Sequence, residues 1–222
     1  MGKMITFGDD NIPGYLAGDS GPGVVVLQEW WGLNDQMKGI ADRLAAAGYR
    51  ALTPDLFRGR VTQSPDEAQH MMNGLDWMGA TKVDVASAVA FLKQDSDKVG
   101  VMGFCMGGAL TILSAVHVDA IDAAVCFYGI PPREAGDPKD IQAPFQGHFG
   151  TLDGWCDPAA VAALAERLGA SGQPFEIHSY EGADHAFVNE QRPEVYRPDD
   201  AKLAWERMVT FFGQNLAYAS LR

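Results

Sequence analysis

Residues 98–116 constrain the fold more than any other stretch. Residues 98–104 (KVGVMGF) are apolar enough for a strand buried on both faces. They run without a spacer through Cys105-Met106-Gly107-Gly108 into an apolar helix at 109–116. A buried strand feeding directly into a helix belongs to a parallel sheet covered by helices. The rest of the chain repeats the alternation. Edge strands are expected at 4–7 and 14–17, and buried strands at 23–28 (GVVVLQ) and 123–128 (AAVCFY). Further strands are expected at 49–53, where Pro54 stops the run, and at 144–149 and 174–180. Helices are expected at 35–47 (ended by Gly48), 81–93, 158–168 and 199–214, the last with Trp205, Met208, Phe211 and Phe212 on its inner stripe. Ser64-Pro65-Asp66-Glu67 reads as an N-cap with proline at the first helical position, and residues 55–61 read as a loop. The expected fold class is therefore α/β. A chain of 222 residues without repeat or linker suits a single domain over 1–222 with no large lid.

Composition narrows the partners. Asp and Glu number 29 against 17 Lys and Arg, a net charge of −12, which argues against nucleic acid or an anionic membrane surface. No apolar run approaches the roughly 18 residues of a membrane span, and the N-terminus lacks the layout of a signal peptide. Residues 1–6 fit a permissive myristoylation pattern, but residues 4–7 read as a strand. Three cysteines are too few and too odd for a disulfide framework, so a reducing cytoplasm is the expected compartment. The expected partner is a small molecule, and the expected assembly a monomer or small homo-oligomer. No cofactor is implied, and no His/Cys cluster has metal-ligand spacing.

The chemistry centres on Gly103-Phe104-Cys105-Met106-Gly107, a G-x-C-x-G run between strand and helix. A nucleophile on so sharp a turn has a strained backbone and needs very small neighbours. The turn lifts its side chain above the sheet edge, and the helix start favours a thiolate. Such a nucleophile needs a base and a group to orient it. Of five histidines, only His185 follows the last expected strand. The acid should lie between them in sequence. Asp153 follows a strand end with suitable spacing, whereas Asp157 precedes Pro158 and is better explained as a helix N-cap. Asp184 adjoins His185, but neighbours in an extended loop point apart, so it is expected to be solvated or to hold the loop. The oxyanion hole needs two backbone N–H groups, expected from Met106 and from Trp30.

Further segments match in order. Glu29-Trp30-Trp31-Gly32-Leu33-Asn34, Thr53-Pro54-Asp55-Leu56-Phe57, Gly103 to Gly108, Phe127-Tyr128-Gly129, Gly150 to Asp153 and Gly182 to Phe187 together resemble the dienelactone hydrolase family of α/β-hydrolases over nearly the whole chain. Cysteine where most relatives of the wider fold carry serine is the specific feature. The resemblance implies an α/β-hydrolase fold and a Cys105, His185, Asp153 triad acting on lactones or short esters through a thioester. It also implies that Glu29 lies beside the nucleophile, holds the resting thiol and takes its proton when substrate binds. In low dielectric, thiol and carboxylate are not both charged at low cost.

The chain departs from that family at the substrate carboxylate. Members that take dienelactone bind it with two arginines, one soon after P-D-L-Y and one four residues after the histidine. Here the second position is Asn189, with Arg192 three residues on. The first aligns with Gly59, so Arg58 or Arg60 would have to substitute. Trp31, Phe57, Trp77 and Trp155 are candidates to line an apolar pocket, Trp31 foremost because it nearly adjoins Glu29. The alternative activity is a broad short-chain carboxylesterase or thioesterase that requires no substrate carboxylate. A third reading is a thiol-based sensor using Cys105, Cys126 and Cys156, in which Cys126 is core and Cys156 is exposed in a loop.

Overall fold

A computed structural model describes residues 1–217; the last five residues of the expected domain lie outside the described residues. Eight strands form one sheet: β1 (Lys3–Phe7), β2 (Ile12–Ala17), β3 (Gly23–Leu27), β4 (Arg50–Pro54), β5 (Val99–Phe104), β6 (Ala123–Phe127), β7 (Phe145–Gly150) and β8 (Phe175–Tyr180). Their spatial order is β1-β2-β4-β3-β5-β6-β7-β8. β1 and β2 pair antiparallel and β2 meets β4 antiparallel; every pair from β4 to β8 is parallel. Among the described residues β1 and β8 are the edges. The expectation that 14–17 is an edge strand is corrected, because β2 lies between β1 and β4.

Among the described residues seven α-helices accompany the sheet: α1 (Asp35–Ala46), α2 (Pro65–Asn73), α3 (Trp77–Gly79), α4 (Ala86–Lys93), α5 (Met106–His117), α6 (Pro158–Gly169) and α7 (Pro198–Asn215). Side chains alternate along the strands and so build two cores. Val24, Val26 and Met102 pack with Leu44 of α1 and Met208 and Phe212 of α7. Val25, Leu27 and Val101 pack on the other face with Leu92 of α4 and Leu110 of α5. Trp205 is only half-buried on α7, where the Arg43 guanidinium lies 4.0 Å over its ring.

Three boundaries differ from expectation for identifiable reasons. Pro54 closes β4 instead of stopping it a residue earlier, and is paired there with Gly14 of β2. The helix expected at 81–93 is a composite. It starts at Trp77, passes through a π-helical turn at Ala80–Val85 and continues as α4. The helix expected from 109 begins at Met106, because its glycines answer to packing and do not break the helix. A Cβ on Gly107 would sit 2.3 Å from the Leu27 carbonyl oxygen, and one on Gly108 2.5 Å from that of Phe127.

Candidate active site

The parallel strands place their following residues at one end of the sheet, where open α/β sheets hold their sites. Glu29 follows β3, Cys105 β5, Tyr128 β6, Asp153 β7 and His185 β8. Cys105 has φ 55° and ψ −116°, a region costly for any residue with a side chain. Its surroundings over-determine it. The Cys105 amide donates to the Phe127 carbonyl at 3.0 Å, and its carbonyl accepts from the Ala109 amide at 3.0 Å. The flanking glycines let the turn close: a Cβ on Gly103 would lie 2.1 Å from the Gly107 carbonyl oxygen.

His185 sits in the same cleft as Cys105 and is bonded to Asp153. Its Nδ1 lies 2.8 Å from Asp153 Oδ2, with the Asp153 side chain fully buried. The other Asp153 oxygen accepts from the amides of Trp155 at 2.7 Å and Cys156 at 3.0 Å. Burial alone would raise Asp153, but the bond from His185 and those two amides hold it below the usual carboxylate range. Burial pulls His185 down, yet its hydrogen bonds with Asp153 and Cys105 prevail and carry it well above its ordinary value. Asp157 caps α6 through the Ala160 amide at 2.8 Å, as expected of it. Asp184 is exposed and accepts from the His185 amide, so it holds the loop.

Glu29 is buried beside this chain of bonds. Its Oε1 accepts from the Tyr128 hydroxyl at 3.2 Å and its Oε2 from the Asn189 amide at 2.7 Å. Burial pushes the Glu29 carboxyl up, against the pull of His185, Tyr128, Asn189 and Arg192. Among the described residues its hydrogen bonds come from Tyr128 and Asn189, and it shares the cavity wall with Cys105 and His185. Tyr128 itself has φ 39°, and its ring centroid lies 5.0 Å from that of His185.

A cavity of about 540 Å³ opens over Cys105, lined also by Glu29, Tyr128 and His185. Trp30, Trp31 and Met106 line it, and Met106 is the first residue of α5, so its N–H has no partner within the helix. Trp77 and Trp155 line it as well. The other candidates lie elsewhere. Phe57 is core, not cavity wall. Arg58 donates to Asp84 and to the Asp55 carbonyl, each at 2.8 Å, and ties the loop after β4 to the π-helical turn. Arg60 is exposed and outside the lining. Asn189 is directed to Glu29. Arg192 is the arginine of the cavity wall, with its Nε donating to Glu194 at 2.8 Å. Tyr128 was not singled out as a site residue from sequence; its place in the Phe127-Tyr128-Gly129 segment, directly after a buried strand, was the available signal.

Cys156 is buried, not exposed. Burial pushes its thiol up, and pushes that of Cys126 up to about 12. Neither is a ready thiolate, which removes the support a sensor reading would need. Among the described residues no group of three or more His, Cys, Asp or Glu is placed to hold a metal ion, and no helix is long and apolar enough to cross a membrane.

A mostly parallel eight-stranded sheet with a cysteine on the strand-to-helix turn, followed in order by Asp153 and His185, is an α/β-hydrolase arrangement. The family model "Dienelactone hydrolase family" matches residues 12–216, and the chain belongs to that family. The chain is 36% identical to "Protein usf" of Aquifex pyrophilus, over 97% of this chain and 100% of that one. It is 33% identical to a protein of Aquifex aeolicus named "Putative carboxymethylenebutenolidase", over 96% and 98%. A crystal structure from Klebsiella pneumoniae described as a "Putative Dienelactone Hydrolase" superposes with a TM-score of 0.86 at 26% identity, over 96% of this chain and 98% of that one. This is a hydrolase acting on ester bonds.

Proposed function

We propose that this dienelactone hydrolase-like enzyme opens lactones and short carboxylic esters through Cys105, His185 and Asp153, by way of a thioester. The observation that carries the reading is the position of His185, bonded to buried Asp153 at 2.8 Å and lining one cavity together with Cys105.

The Cys105 thiolate attacks the acyl carbon, and the carbonyl electrons move to oxygen. The Met106 and Trp30 amides receive that oxyanion. Its collapse breaks the acyl C–O bond, and the departing oxygen takes the proton from His185. A thioester remains. Removing the thiolate removes one of the influences that raise His185, so the imidazole now accepts a proton from water. The water oxygen bonds to the acyl carbon, and collapse expels the Cys105 thiolate and releases the acid. Glu29 sits beside the pair as a carboxyl that burial pushes toward its neutral form. In this reading it takes the resting thiol's proton when substrate arrives, held in place by Tyr128 and Asn189.

The substrate is a small molecule, since nothing in a chain of net charge −12 favours a polyanion. Rapid-quench mass spectrometry during turnover of a slow lactone tests the mechanism. The expected result is an adduct of acyl mass on the peptide containing Cys105, absent in Cys105→Ala. Turnover in Cys105→Ala at the wild-type rate would overturn it.

A further inference from the structure

A second cavity, about 970 Å³, adjoins the catalytic one, and the two share Trp30, Trp31, Trp155 and Arg192 as walls. A small lactone fits within the first cavity and leaves the second without a role. The remaining wall is of a particular kind. It is mostly polar: apart from Val61 and Pro65 it is made of side chains such as Asn34, Gln63, Asn189 and Gln191 around the indoles. Trp155 is 69% exposed, a large apolar surface presented to solvent beside a catalytic cleft.

The charges here are largely neutralised. Arg192 donates to Glu194 at 2.8 Å, and Asp35 lies 3.8 Å from Lys38. An anion therefore finds no free cation in this second cavity. A pure hydrocarbon would strip water from the carboxamides and return no hydrogen bonds. Gln63 and Gln191 are exposed amides able both to donate and to accept. An occupant with apolar C–H faces and a rim of hydroxyls satisfies indoles and amides together.

We infer that this groove seats the alcohol portion of a carbohydrate or polyol ester, with its acyl carbonyl at Cys105. The inference rests on the hydrolase reading above and names its substrate class. The reaction is hydrolysis: the acyl carbon gains the hydroxyl of water, the sugar oxygen gains its hydrogen, and no redox partner enters.

The test compares kcat/KM for propyl acetate, 2-naphthyl acetate and a mono-acetylated disaccharide, each corrected by Cys105→Ala. The disaccharide ester is expected to exceed propyl acetate at least tenfold and to exceed the naphthyl ester when both are corrected for their uncatalysed rates. In the double variant Gln63→Ala/Gln191→Ala, its KM is expected to rise about tenfold and the preference over propyl acetate to collapse. Equal rates for propyl acetate and the sugar ester would overturn the inference while leaving the hydrolase reading intact. So would a preference for the naphthyl ester, or a sugar preference that survives in the double variant. If no ester exceeds the Cys105→Ala blank, the hydrolase reading fails and the groove's assignment falls with it.

Discussion

Cys105 contributes to the charge state of His185. The imidazole is raised by its bonds to Asp153 and Cys105, against burial, which favours its neutral form. Replacing the thiol by a methyl group takes away one partner and leaves the burial. We therefore expect the His185 pKa to be lower in Cys105→Ala than in the wild type, followed by NMR of the ring from pH 5 to 11. Identical titrations in both proteins would dismiss the coupling. The linkage has a definite sign. A raised histidine contributes stability that is fully present below its unfolded value near 6.5 and is lost as pH rises through the folded one. The wild-type advantage over Cys105→Ala in melting temperature should thus shrink on the alkaline side. Much of this site was legible in the sequence. Gly103 and Gly107 are demanded by backbone approaches of 2.1 and 2.3 Å, so the turn is marked locally. The hold on Glu29 was not legible. Tyr128 and Asn189 lie 99 and 160 residues from it in sequence, and only the crossing of the parallel strands brings them together.

At the scale of elements, the strands were easier to read than the helix facing the cavity. A buried strand betrays itself by a continuous apolar run, as 23–27 and 123–127 do. The π-helical turn at Ala80–Val85 carries no comparable pattern. It is tied by one long-range contact, buried Asp84 to Arg58 at 2.8 Å, and by one local one, the Thr81 hydroxyl to the carbonyl of Trp77, a cavity residue. The opposite end of the sheet has its own anchor. Asp122, just before β6, accepts from Lys93 at 2.6 Å, Lys98 at 2.8 Å and the Val99 amide at 2.8 Å. Burial would raise this carboxyl, but the two lysines and the amide hold it below the usual range. Asp122→Ala leaves that amide without its acceptor and frees two partly exposed lysines, so a loss of roughly 1–2 kcal/mol is expected by urea unfolding. A depressed carboxylate contributes its stability above the unfolded value and loses it as pH falls through the folded one. The gap between wild type and variant should therefore be full at pH 6 and narrow below about pH 4. A gap that persists unchanged at pH 2 would show that the carboxylate's charge is not its source.

Across the whole molecule, charge and cavity oppose each other for an anionic substrate. The protein carries −12, and its field repels an approaching carboxylate. Inside the cavity Arg192 attracts it, but that guanidinium must first release Glu194. Arg58, bound by Asp84, and exposed Arg60 lie outside the cavity and offer no second contact. A single shared arginine forfeits the paired, charge-assisted grip that two would supply. Discrimination in favour of a lactone's free acid over its neutral methyl ester should accordingly be small, within about tenfold in kcat/KM. Salt separates the two contributions. Repulsion acts over distances longer than the roughly 10 Å screening length at 0.1 M, whereas the Arg192 contact is close and half-buried. Between about 10 and 150 mM salt, turnover of the free acid should rise about twofold while the methyl ester stays level. Arg192→Met should lower the free acid alone and leave its upward salt dependence in place. A free-acid rate that falls steeply with salt would instead mean that the net field at the cavity mouth is positive, and that a cation other than Arg192 reaches the substrate.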